Sequence, residues 1–236
     1  MRSVTESALL EQHAGLLFRF DSEGLMTTAN EPDGDRAPRV FLVRGRTTHL
    51  VRYRDDVPLT ARDDIDGIAA GLPPWTGQPT DAGLFQPIRD RLARDGPIRD
   101  EERGPAFEFG ERVELAAADE AVVIDEATAH LLERNFPYTR SVLPWLLPVV
   151  GVVRDGAVVS ACYSSRKSAS ACEAGVYTEE PWRGHGFAPL VVATWRQEVE
   201  RIGAQPLYST SWDNVASLAV ARRLGLRAYA ESVSVT

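Results

Sequence analysis

Arg183, Gly184, His185, Gly186, Phe187 and Ala188 form the stretch of this chain best suited to hold a ligand. Its two glycines let the backbone come close to a bulky group, because glycine takes left-handed conformations that a Cβ disfavours. A helix beginning directly after them presents unpaired N–H groups and about half a positive charge. Such a turn suits a phosphate. It is not the usual P-loop, since no Gly-Lys-Ser/Thr follows, and it lacks the three-glycine spacing of the dinucleotide fingerprint. His185 inside the turn reads as an exposed side chain beside the phosphates rather than an acid–base group.

The flanking elements must position this turn. Upstream, Ala171 to Thr178 reads as a strand. Downstream, a helix with Pro189 in its first turn runs to about Ile202. Before the strand, Leu147 to Val153 and Ala157 to Ser164 form a hairpin over Asp155-Gly156. After the helix come a strand at Pro206 to Trp212, a helix at Val215 to Leu224 and a strand at Arg227 to Val235. A possible strand from Phe107, a helix from about Glu126 to Arg134 and the apolar run around Trp145 complete this half. The order predicts an α/β (α+β) fold with a mixed, mostly antiparallel sheet flanked by helices.

The residues around the turn resemble the GCN5-related N-acetyltransferase (GNAT) superfamily. Arg183 to Ala188 match its Arg/Gln-x-x-Gly-x-Gly/Ala signature, with Glu173, Pro181 and Trp182 in commonly acidic, proline and aromatic positions. Asn214, Ser217, Leu224, Gly225 and Leu226 are similar to its closing helix and turn. The likeness covers roughly residues 110 to 236, and the Trp212, Asp213, Asn214 run is similar to the zwittermicin-resistance-type branch. The resemblance implies that Arg183, Gly184, His185, Gly186, Phe187 and Ala188 hold the pyrophosphate of acetyl-coenzyme A. It places the pantetheine arm between two splayed strands, along Val176, Tyr177 and Thr178, with Val176 and Thr178 as backbone contacts. Asn214 and Ser217 then face the thioester. Many members carry a tyrosine four residues before the closing glycine to protonate the thiolate. Here that position is Ala221, which leaves Ser217, Tyr177 or a water for the task. Glu173 is the candidate general base, its pKa expected to rise through partial burial.

Residues 1–105 are expected to form a separate α+β domain, with 106–236 as the catalytic domain and the boundary in the charged stretch 98–110. Thr5 to Ala14 shows a helical pattern, and Leu16–Phe20 with Leu25–Ala29 read as a hairpin. A second hairpin spans Arg39–Arg44 and Thr48–Arg54, and helices are expected at Leu59–Ala70 and Leu84–Arg94. Arg44, Arg46, Arg52 and Arg54 alternate as the solvated face of a sheet would. His13 and His49 read as surface or packing residues. No metal-ligand cluster is expected.

The formal net charge of −8 argues against a nucleic-acid or anionic-membrane partner. No apolar run approaches a membrane span, and the first residues lack the pattern of a secretory signal. The two cysteines, Cys162 and Cys172, are placed opposite each other across a hairpin as small buried residues. One lysine among many arginines fits a GC-rich bacterial genome, and the expected location is cytoplasmic. The expectation is an N-acyltransferase acting on a small-molecule or peptide primary amine, as a monomer or homodimer. The alternative is a non-catalytic acyl-CoA-binding sensor.

Overall fold

A computed structural model describes residues 5–110 and 120–236. They fall into two compact units, one of Met1–Phe107, Ser209–Asn214 and Ala228–Thr236, the other of Glu108–Tyr208 and Val215–Arg227. The packing thus divides the chain at several points, whereas a boundary at 105/106 divides it once.

In the first unit, α1 (Glu6–Leu17) starts where Thr5 accepts the Ala8 N–H at 3.3 Å. β1 (Phe18–Phe20) and β2 (Met26–Ala29) pair antiparallel around Asp21, whose carboxylate accepts the amides of Glu23 and Leu25. β3 (Val40–Arg44) pairs antiparallel with β4 (His49–Tyr53), and α2 (Leu59–Ala70) and α3 (Gln86–Ala93) follow. β5 (Glu101–Glu108) occupies the stretch expected to be a linker. Its charges disguise it: Glu101 is bound by Arg89 at 2.8 Å and by Arg103 at 3.1 Å. The last strand of the chain, β11 (Arg227–Val235), pairs antiparallel with β3 from Glu231↔Arg44 to Val235↔Val40. Val233 and Val235 pack with Val40, Leu42 and the α2 residues Ala61 and Ile65.

Two arginines expected at a solvated face are buried instead. Arg54 binds Asp56 at 2.7 Å and the Ala37 carbonyl at 2.9 Å. Arg44 is 3 % exposed, donates to Thr80 Oγ1 at 3.3 Å and stacks over Phe85. Beside it, Glu231 accepts from the Thr80 amide and hydroxyl and from Trp212 Nε1. His13 is a packing residue, buried against Phe41 and 2.7 Å from Tyr229 Oη.

The second unit holds β6 (Ala121–Ile124), α4 (Pro137–Ser141), α5 (Leu143–Leu146), β7 (Val149–Arg154), β8 (Ala157–Lys167), β9 (Ala171–Thr178), α6 (Phe187–Arg201), β10 (Gln205–Ser209) and α7 (Val215–Arg223). The helix expected over 126–134 is only a 3-10 turn at Ala129–Leu132. Asp125 and Thr128 bond each other's amides there, a local alternative to helical bonding. The strands run in the order β10-β9-β8-β7-β6. All neighbours are antiparallel except β9 and β10, which are parallel. The sheet is therefore mixed and mostly antiparallel, flanked by helices. The β7–β8 turn has both central residues at positive φ, Asp155 at 50° and Gly156 at 72°, as a two-residue hairpin requires. α6 lays Leu190, Val191, Trp195 and Val199 on the sheet, and Trp195 Nε1 reaches Ser164 Oγ at 3.2 Å. The cysteines do not face each other: Cys162 opposes Val176 and Cys172 opposes Lys167, and both are buried free thiols. No described helix is long and apolar enough to cross a membrane.

Candidate functional site

β9 and β10 are in register only from Gln205↔Ala171 to Leu207↔Glu173. Past Glu173, β9 continues to Thr178 with β8 as its partner on the other side. The two parallel strands therefore splay from Ala174 and Tyr208 onward. The side of β9 that faces the splay follows from alternation. The amide of Glu179 donates to Val159 O on β8 at 2.9 Å, so Tyr177 and Gly175 also turn to β8, whereas Val176 and Thr178 turn their N–H and C=O groups the other way. Extended backbone with outward peptide groups is a template for one more strand-like partner.

The splayed end of β9 leads through a short 3-10 turn at Glu180–Trp182 into the glycine turn. Gly184 has φ 78° and Gly186 φ 82°, and Gly186 is the N-cap of α6 with no side chain capping it. A Cβ at either glycine would meet nothing within 4 Å, so the space above the turn is open to a ligand. The amides of Gly186, Phe187 and Ala188 have no intrahelical acceptor, and Pro189 has no N–H to satisfy. Three donors and the positive helix end thus face open space.

Side chains pin the turn from both ends. Arg183 donates from Nε to Thr178 O at 3.1 Å and lies over the Tyr177 ring at 5.7 Å, keeping its guanidinium beside the turn. Arg154 stacks over Phe187 at 4.8 Å, with its guanidinium paired to Glu120. His185 is exposed, with Nδ1 3.0 Å from Arg183 O and its ring stacked on Phe187 at 5.7 Å. Arg183, Gly184, His185, Gly186, Phe187 and Ala188 thus form one continuous turn at the mouth of the splay, with open space above both glycines.

The proton-handling residues have a different setting. Glu173, 2 % exposed, is the last β9 residue in register with β10, and its Oε2 is 2.7 Å from Arg166 Nη1. The Arg166 guanidinium thus supplies the buried carboxylate with a counter-charge. Ser217 is half-buried, one turn before the buried Ala221 on α7, and its Oγ is 2.6 Å from Tyr208 Oη. Tyr208 is 1 % exposed, and burial pushes its phenol up to about 12. No sequence signal marked Tyr208, because a loop separates it from its Ser217 partner. Asn214 is exposed immediately before α7, and its N–H donates to Ser211 O at 3.2 Å. Among the described residues no group of His, Cys, Asp and Glu is arranged to hold a metal ion.

Residues 150–231 match the model of the family described as GNAT acetyltransferase. This segment, about a third of the chain, is similar to GNAT acetyltransferases. The matched segment contains the splayed strands, the glycine turn and the Tyr208–Ser217 pair. Solved structures to which the chain is similar include a GCN5-related N-acetyltransferase-like protein from Streptococcus suis 89/1591, 18 % identical over 98 % of this chain and 100 % of that one, TM-score 0.49. A GNAT-family protein from Novosphingobium aromaticivorans DSM 12444 is 16 % identical over 59 % and 66 %, TM-score 0.48. A GCN5-related N-acetyltransferase from Sphaerobacter thermophilus is 17 % identical over 61 % and 54 %, TM-score 0.46. The chain spans less than two thirds of the length of the last two. No curated protein matches the chain.

Proposed function

We propose that the protein transfers an acetyl group from acetyl-coenzyme A to a primary amine on a small molecule or peptide. The observation that carries this reading is the continuity of the splay with the open glycine turn. The turn supplies amides and Arg183 for the pyrophosphate, and the outward peptide groups of Val176 and Thr178 supply strand-like bonds to the pantetheine arm. A thioester held there meets the amine at short range, and a strand amide stabilises the oxyanion. Ser217 and Asn214 line the thioester end. Residues 1–105 are assigned to acceptor recognition in this reading, which also includes a cytoplasmic bacterial protein, monomeric or homodimeric, near the zwittermicin-resistance-type branch through Trp212, Asp213 and Asn214. Thiol release from acetyl-coenzyme A over a panel of polyamines, aminoglycosides and lysine-bearing peptides tests it. Release with at least one amine is expected.

Two observations support competing details. Glu173 stands where the strands part, which favours it as the general base acting on the amine. Ala221 stands where the family's tyrosine donates a proton, which favours a non-catalytic acyl-CoA sensor. Tight binding in calorimetry with no release on any amine would select the sensor.

A further inference from the structure

We propose that Ser217 passes the proton of the attacking amine to the departing thiolate, and that Tyr208 is the positioning residue that holds the Ser217 hydroxyl for this relay. The inference rests on the acetyl-transfer reading above. Its structural basis is the placement of the pair. Register between β9 and β10 ends at Leu207, and Tyr208 is the next residue, at the apex of the splay. Its phenol reaches across to Ser217 Oγ at 2.6 Å, with Ser217 O at 3.4 Å. Ser217 lies in the first turn of α7, half-buried, while Ala221 one turn further presents only a methyl group.

The alternatives nearby are poorly suited. Burial pushes the Cys162 thiol well above its ordinary value, so it stays neutral and sealed off. Glu173 is held by Arg166 at 2.7 Å. Tyr208 is itself kept protonated by burial, which makes it a lasting hydrogen-bond donor rather than a source of phenolate. When Tyr208 donates to Ser217 Oγ, the serine hydrogen rotates about the Cβ–Oγ bond and another lone pair remains on the oxygen.

The relay balances without any other group. The amine lone pair forms the C–N bond at the thioester carbon. The C–S bond then breaks, and its electron pair leaves on sulfur. Ser217 gives its hydroxyl hydrogen to that sulfur and takes the proton from the nitrogen, ending as it began. The products are the amide and free thiol, and no charge is left on the buried wall of the site. A hydroxyl suits the task because one atom both gives and accepts a proton.

The test uses the full chain, acetyl-coenzyme A and the amine from the panel that gives the fastest thiol release. Ser217→Ala should lower kcat about 10²-fold and Tyr208→Phe about tenfold, with the KM for acetyl-coenzyme A within about twofold of wild type. Ser217→Thr keeps the hydroxyl and should retain kcat within about threefold. The readout that a merely structural role would not move is the rate in H2O–D2O mixtures. Wild type should show the curved dependence of two protons in flight, and Ser217→Ala a linear one. Wild-type kcat in Tyr208→Phe, or an isotope dependence unchanged in Ser217→Ala, would overturn the relay while leaving acetyl transfer intact. Binding of acetyl-coenzyme A by wild type with no release on any amine would remove the transferase reading and the relay together.

Discussion

Gly186 is the residue on which the cofactor reading can be tested most directly. Its φ of 82° and its N-cap position make a side chain costly in two ways. A β-branched residue in the left-handed region costs about 1–2 kcal/mol, and its methyls would fill the open space above the amides. Gly186→Val should therefore weaken acetyl-coenzyme A by at least about tenfold, the loss of one charge-assisted hydrogen bond, while the protein stays folded. Calorimetry on a variant with a native circular-dichroism spectrum is the check, and unchanged affinity would detach the turn from the cofactor. Glu173 was legible as an acidic residue of β9, but its Arg166 partner was not, because the β8–β9 register shifts between Ser164 and Arg166. With that partner, Glu173→Gln should cost about 3 kcal/mol of stability, since it leaves Arg166 without its buried counter-charge. Turnover per folded molecule should fall by less than about tenfold if the Ser217 relay carries the proton. A 10²-fold loss in kcat with an unchanged melting temperature would restore Glu173 as the base. Tyr208 was invisible for a simpler reason: within Pro206-Leu207-Tyr208 it reads as an ordinary buried strand residue.

At the scale of elements, β9 combines two functions on its two edges. Tyr177 and Gly175 bond to β8, and Val176 and Thr178 face the splay. Proline at 176 removes an N–H that no β8 residue uses, whereas proline at 177 removes one from the ladder. Val176→Pro is expected to reduce acetyl-coenzyme A affinity about tenfold with only a modest drop in melting temperature. Tyr177→Pro should instead destabilise the domain by about 3 kcal/mol. Comparing calorimetry with thermal melts for the two variants separates the edges, and equal effects would refute the alternation. The periodicity that marked β9, α2 and β11 gave bounds identical to those observed, because each is a regular amphipathic or apolar run. β5 escaped notice because Glu101, Glu102 and Arg103 look like a solvated linker until Arg89 is found beside them. The 126–134 segment misled in the opposite direction, since its apolar spacing is helical but Asp125 and Thr128 take the amides that a helix would need.

For the whole molecule, the strongest contrast lies between order along the chain and membership of a compact unit. A reading that follows the chain assigns everything after residue 106 to one catalytic domain and predicts that residues 107–236 fold and bind coenzyme A alone. Strand pairing with a segment more than 180 residues earlier leaves no local signature, so nothing in Arg227–Val235 announced its partner. Yet all five registered pairs of β3 with β11 lie in the first unit, and Val233 and Val235 complete the core formed by Val40, Leu42 and α2. Ser209–Asn214 belongs there too: the Trp212 amide donates to Arg103 O at 3.0 Å, and its indole donates to Glu231 at 2.9 Å. A fragment starting at residue 107 therefore has a long apolar strand with no β3 to pair with, a template for self-association. Expressed alone, residues 107–236 should be insoluble or elute as oligomers, and residues 1–106 supplied in the same cells should restore a soluble complex that binds acetyl-coenzyme A. Size exclusion followed by calorimetry decides it: a monodisperse, coenzyme-A-binding 107–236 fragment would mean that β11 does not depend on the first unit.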